Sequence, residues 1–363
     1  MDAHFNAYKA RYEILDQHIR FIAQTQYVKS MDIFINLDDV LHNMHRPIVE
    51  KEVQACGINA VKQLAVHVVN LLAHYRQWAS RRRISCRIFA IYTSNRGRFK
   101  NGIYLPAYRD YHSVISDPAN TQYFLTNDAI GKGLPIAKNI ADYVRDIFIV
   151  DSHYLEPSII PLFLTEQRVA NYDWKMMISR DMYDLQYAYR DRWIFVSPKG
   201  DNTRIITRAD LWKYVGAHEH IVDIGAKAAF YDQDIYPLAL AVNGNKLRTI
   251  PRLKRIGWRT IFKYLNQITE KDTSSLQILA QRFLTLLEDK GVDPKAIDHN
   301  LSCVNIQRQV SVMNDIDATS ITDQLKYVTD HEALATINDL YFQQFPINIP
   351  FLTADFQTGR AFF

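Results

Sequence analysis

The chain has 363 residues, 48% hydrophobic and 23% charged, an ordinary globular composition with apolar material for one large core or two smaller ones. Forty-three Lys and Arg against 39 Asp and Glu give a net charge of +4, which excludes a histone-like polycation; any grip on nucleic acid must come from local clustering. Cys56, Cys86 and Cys303 lie too far apart for a disulfide framework or a zinc knuckle, and no apolar run reaches the roughly 18–20 residues that span a bilayer.

In chain order, residues 5–22 read as an amphipathic helix. Phe5, Tyr8, Tyr12, Leu15, Ile19 and Ile22 recur at steps of three and four, a seam that either packs on its own domain or docks on a partner chain. A strand-like run, Ile33–Ile35, is followed by a helical stretch through Trp78 that ends in the basic knot Arg81–Arg83, where cations suit the helix dipole. Further runs at Ile88–Ile91, Ile147–Val150 and Lys175–Ile178 are separated by helix-length segments, the pattern of an α/β protein with a parallel sheet. Ligands of such sheets meet the carboxyl ends of the strands, where Asn36, Ser94, Asp151 and Asp181 stand. Trp193–Val196, Pro198–Gly200 and Ile205–Ile206 read as a β-hairpin. A helix-rich segment runs from near Asp210 to about Lys290, and the chain closes on a Phe-rich tail, 345–363, that folds back or inserts into a neighbour.

Other polar groups point nowhere specific. The G-x-G at Gly131–Gly133 lacks a strand before it, and His42, His45 and the His218–Glu219–His220 group lack a third metal ligand at suitable spacing.

Five segments, in order, resemble the 5′-nuclease superfamily of flap endonucleases and phage 5′–3′ exonucleases. FINLDDVL (34–41) is similar to the opening strand and turn, and FKNGIYLPAYR (99–109) to the basic arch. MISRDMYDLQ (177–186) is similar to the family's S-G-D-K-D turn. The segment 239–265, with Pro251 six residues before Gly257, is similar to the helix–hairpin–helix that grips duplex DNA, and 305–315 to the closing segment. The resemblance implies an α/β fold with a PIN-like parallel-sheet domain followed by a helix–3-turn–helix region. It divides the chain into an N-terminal helix (1–30), a PIN-like domain (31–235), a helical region (236–344) and the tail (345–363).

The resemblance also implies a carboxylate cluster, because that chemistry uses two divalent ions held by anionic oxygens. Position by position the carboxylates are missing. The first-strand Asp falls on Asn36 and the second-strand Asp on or beside Tyr92. The E-A-D-D run falls on Glu156–Ile159, keeping Glu156 and placing Ser158 at an Asp position. The S-G-D-K-D turn keeps Asp181 but replaces its second Asp by Tyr183, and G-D-x-S-D becomes Asn245 and Arg248. A one-residue slip could recruit Asp38, Asp39 or Asp184, but no acidic residue stands between Asp234 and Glu270. Glu156 and Asp181 remain as residual metal candidates. The expectation is a scaffold without nuclease activity and without a cofactor; an active enzyme would need Mg²⁺ or Mn²⁺.

What the resemblance leaves is a grip on DNA. Lys246, Arg248, Arg252, Lys254, Arg255, Arg259 and Lys263 form a basic run around Gly257, and Lys100 and Arg109 keep the arch's cations. Tyr104 and Tyr108 either stack on bases or pack the arch. The same basic run also suits an acidic protein partner. The leading expectation is a non-enzymatic structural protein, a phage virion component of a neck, portal vertex or tail ring near packaged DNA. It would be made in the host cytoplasm and would contact copies of itself and other virion proteins through the N-terminal helix and the tail. The alternatives are an active Mg²⁺-dependent 5′–3′ exonuclease or flap endonuclease, and a cytoplasmic DNA-binding accessory protein of replication or repair.

Overall fold

The computed structural model describes residues 28–40, 59–93, 132–142, 146–153, 155–198, 204–221, 235–244, 250–271 and 276–325. The four apolar runs are strands β1 (Ser30–Asn36), β2 (Ser85–Tyr92), β3 (Ile147–Asp151) and β4 (Trp174–Ile178). With β5 (Trp193–Ser197) and β6 (Arg204–Ile206) they form one six-stranded sheet in the order β3-β2-β1-β4-β5-β6. All neighbours are parallel except β5 and β6, the two arms of the expected hairpin.

Both faces of the sheet are covered, so the central strands, apart from three charges near their amino ends, are apolar rather than alternating with water-facing residues. Ile33 and Ile35 of β1 pack on one side with Leu64, Val68, Leu72 and Trp78 of helix α1 (Asn59–Arg81) and with a helical stretch over 132–141. Gly133 permits that approach, because a Cβ there would come within 2.8 Å of the Leu64 side chain. Phe34, on the opposite parity, stacks on Phe89 and Trp193 on the other side. There it joins helices α2 (Ile160–Glu166), α3 (Leu211–His218), α4 (Ile235–Asn243), α5 (Trp258–Lys271) and α6 (Leu276–Asp289). Trp212, Tyr236, Trp258 and Phe262 form an aromatic knot that ties α3, α4 and α5 together.

The helical part continues past the expected end near Lys290. Helices α7 (Pro294–Val304), α8 (Ile306–Ser311) and α9 (Asp315–Thr322) each begin at a side chain that accepts a first-turn amide: Asp293 from Lys295, Asn305 from Arg308 and Asn314 from Asp317. The end of α1 is as expected: Arg81 is its last residue, the Arg82 guanidinium donates to the Trp78 carbonyl, and Arg83 turns the chain with φ 58°.

At the amino ends of the strands, three charges lie side by side in register. Asp32 of β1 pairs with Arg87 on β2 and Lys175 on β4. The Arg87 guanidinium donates to Asp32 Oδ1 at 2.9 Å, the Tyr172 amide donates to Asp32 Oδ2 at 2.9 Å, and Asp32 is fully buried. Burial raises the Asp32 carboxyl above its ordinary value, and Arg87 opposes that shift. Arg87 also reaches the Val169 carbonyl and Asn171, so one guanidinium joins β1, β2 and the loop before β4.

Candidate functional site

The strand order reverses direction at β1: β2 and β3 lie to one side of it, β4 to β6 to the other. The carboxyl ends of β1 and β4 therefore frame the crevice in which an open α/β sheet presents a ligand site. Three segments meet there: Asn36 and the turn after β1, the turn 179–184 after β4, and the segment 156–159 opening α2.

Asn36 sits at the centre of this crevice. Its amide nitrogen donates to Asp184 Oδ2 at 2.9 Å, and its amide oxygen accepts from the Asp39 backbone N–H at 3.2 Å. Asp39 in turn accepts through Oδ2 from the Arg180 backbone N–H and from the Ser179 hydroxyl. The Asp181 carboxylate accepts the Tyr183 amide at 2.9 Å, which closes the turn. Asp184 is fully buried; its Oδ1 makes no hydrogen bond among the described residues, although the Ser179 and Ser158 hydroxyls lie close enough to favour its charged form. Ser158 also donates to Glu156 at 3.3 Å. Sequence points to Asp181 and Glu156; the fold brings Asp39 and Asp184 to them.

These carboxylates repel one another inside a poorly solvated pocket. Burial first, then the neighbouring Asp181 and Asp184, push the Asp39 carboxyl up to about 7, while the Arg180 amide and guanidinium pull the other way. Burial and Asp181 push Asp184 up to about 6. Among the described residues, no group of three or more His, Cys, Asp or Glu side chains is arranged to hold a metal ion.

Tyr92 is buried at the end of β2, in register with Asp151. Asp151 accepts from the His153 backbone at 2.8 Å and lies 3.3 Å from its Nδ1, which raises the imidazole above its ordinary value. Tyr183 is buried in the core on the helical side of the sheet, where a carboxylate would carry a heavy desolvation cost. His218 meets Glu219 at the surface. Asn245, Lys246, Arg248, Lys100, Arg109, Tyr104, Tyr108, the seam at 5–22 and the tail at 345–363 lie outside the described residues.

The basic run occupies a second surface. After α4, Gly244 turns the chain with φ 69°, and a tight 3₁₀ turn, Leu253–Arg255, leads through Gly257 into α5. Asn300 on α7 holds the turn by donating to the carbonyls of Ala241 and Pro251. Leu253, Ile256 and Trp258 are buried, and Arg252, Lys254, Arg255, Arg259 and Lys263 are exposed. Arg259 and Lys263, four residues apart, share the outer face of α5. Lys254 and Arg255 have φ of 44° and 59°, a left-handed geometry that costs a side-chain-bearing residue roughly 1–2 kcal/mol. The turn is tight although neither residue is glycine, and both side chains add charge to it. The Arg252 Nε donates back to the Asn243 carbonyl, and the Lys254 ammonium packs against Gly291, between α6 and α7.

The sequence matches no protein-family model and no curated protein. The fold does have counterparts. A zinc-bound structure of the 5′-exonuclease of bacteriophage T5 superposes with a TM-score of 0.52 at 12% identity, covering 81% of this chain and 98% of that one. A T5 flap endonuclease complex with DNA and metal ions matches with a TM-score of 0.48 at 12% identity, over 81% of this chain and 98% of that one. The chain has the 5′-nuclease fold: an α/β domain on a six-stranded, mostly parallel sheet, followed by helices.

Proposed function

We propose that this chain is a non-enzymatic, DNA-associated structural protein on a 5′-nuclease fold. The observation that carries the reading is the Asn36–Asp184 hydrogen bond at the strand-order reversal. An amide N–H points at a carboxylate in the crevice where a metal-dependent nuclease needs anionic oxygens turned toward cations. Two neighbouring carboxylates each accept a backbone amide, Asp39 from Arg180 and Asp181 from Tyr183. With Ser158 and Tyr183 at two further ligand positions of the family, this donor set does not fit a paired-ion site.

The exposed cations around Gly257 support the DNA part of the reading. A tight turn leading into a helix N-terminus, flanked by five exposed basic side chains, suits a phosphate backbone without sequence preference. Placement in a phage particle, as part of a neck, portal-vertex or tail ring, is supported by the phage origin of the similar fold and by the two terminal segments of the sequence.

The test is a 5′-flapped duplex incubated with purified protein in Mg²⁺ or Mn²⁺, together with a binding titration at several salt concentrations. We expect no cleavage and a binding constant that falls steeply with salt. The triple variant Arg252→Glu, Arg255→Glu, Arg259→Glu should weaken binding and flatten the logarithmic salt slope by about one for each phosphate no longer neutralised. Metal-dependent cleavage that Asp181→Ala abolishes would overturn the reading. For the assembly, sizing of the full chain against a truncation lacking 345–363 should show a high-order oligomer that the truncation cannot form.

A further inference from the structure

We propose that Asn36 and Arg180 do from within the chain what a bound cation does in a metal-dependent pocket. They give hydrogen bonds to the carboxylates at the reversal of strand order and turn the crevice into a lock between β1 and β4. The inference rests on the non-enzymatic reading and deepens it by assigning the pocket a task.

The turn after β1 and the turn after β4 bring Asp39 and Asp184 to the two ends of one amide, Asn36, and Asp184 is fully buried. Such a cluster is unstable without compensation, and compensation can come from a cation, from protons or from hydrogen-bond donors. The donors stand in the pocket itself. Asn36 gives its N–H to Asp184 and takes the Asp39 amide on its oxygen, so one side chain bridges the strand end, the turn after β1 and the turn after β4. The Arg180 backbone N–H and the Ser179 hydroxyl close on Asp39, and the Arg180 charge favours the Asp39 carboxylate. Asn36 is 4% exposed and bonded to a fully buried carboxylate, so its amide holds the interior together rather than serving a solvent-facing site.

The charge arithmetic yields a directional test. Asn36→Asp removes the N–H donor and sets a second carboxylate against Asp184, whose Oδ1 is then available to a shared cation. Thermal unfolding of the full chain at pH 7.5 is measured in EDTA and in millimolar Mn²⁺, for wild type, Asn36→Asp, and the exchange Asn36→Asp with Asp184→Asn. The exchange reverses the hydrogen bond but keeps it, and serves as the control if Asn36→Asp alone does not fold.

We expect a wild-type Tm that Mn²⁺ leaves unchanged. Asn36→Asp should drop by about 5 °C or more in EDTA and recover in Mn²⁺, and the exchange should recover in EDTA without metal. A wild-type Tm that rises in Mn²⁺, an Asn36→Asp protein as stable as wild type in EDTA, or an exchange that restores nothing would each overturn the inference. A Mn²⁺ effect on wild type without cleavage of flapped DNA sinks this inference alone; the same effect with cleavage sinks the non-enzymatic reading too.

Discussion

Replacing Asp39 by Asn should stabilise this protein at high pH and do nothing at low pH, an unusual direction for the loss of a hydrogen-bonded carboxylate. Burial and the nearby Asp181 and Asp184 raise the folded-state Asp39 carboxyl from 3.8 to about 7. For a carboxyl raised on folding, the native state holds the proton more tightly than the unfolded chain. Stability is therefore fully present below the unfolded value and is lost as pH climbs from about 4 toward 7. At 1.36 kcal/mol per pH unit the interval corresponds to about 4 kcal/mol, an upper bound because Asp39 titrates together with Asp184, so the Asp39 portion is about 2–4 kcal/mol. The substituted asparagine would accept the Arg180 amide in the same place while carrying no charge. Thermal melts of wild type and Asp39→Asn in EDTA, from pH 4 to pH 8, should coincide near pH 4 and separate progressively, with the variant roughly 3–5 °C higher at pH 8. A variant less stable than wild type at pH 8, or a difference that does not change with pH, would refute the electrostatic account of the pocket.

At the opposite end of the sheet, Arg87→Ala strands the buried Asp32 carboxylate and should cost about 3–5 kcal/mol in urea unfolding, since removing one partner of a buried pair leaves an uncompensated charge. Gly244→Ala should cost about 3 kcal/mol or more by the same measurement. Its φ of 69° disfavours a side chain, and a Cβ there would lie 2.6 Å from both the Arg252 nitrogen and the Ile250 carbonyl oxygen.

The sheet was legible because its strands announce themselves. Apolar runs such as Ile33–Ile35 and Ile147–Val150 are too short for buried helices and are spaced by helix-length segments, which leaves parallel pairing as the economical arrangement. The capped helices after Lys290 were written in the sequence too, in Asp293–Pro294, Asn305 and Asn314, but as caps rather than as apolar periodicity. The charged triplet of Asp32, Arg87 and Lys175 was not legible in the same way. Each looks like an isolated charge in an apolar run, and only the register of β1 with β2 and β4 makes them neighbours.

The pocket shows the same limit more sharply. Alignment by motif assigns carboxylates to fixed positions, and on that basis Asn36 and Tyr183 stand where Asp is expected while Asp39 and Asp184 enter only through a one-residue slip. Geometry regroups them. The turn after β4 is closed by Asp181 on the Tyr183 amide, and this delivers Asp184, one residue further on, to the Asn36 amide 148 positions away in sequence. The turn after β1 places Asp39 over the Arg180 amide in the same way. In three dimensions Asn36, Ser179 and Arg180 supply donors to Asp184 and Asp39. The Asn36 amide acts on Asp184, and the Arg180 backbone N–H and charge act on Asp39, with the same sign. Without those donors Asp184 and Asp39 would share the pocket with their charges unmet, at a cost the fold would have to bear elsewhere.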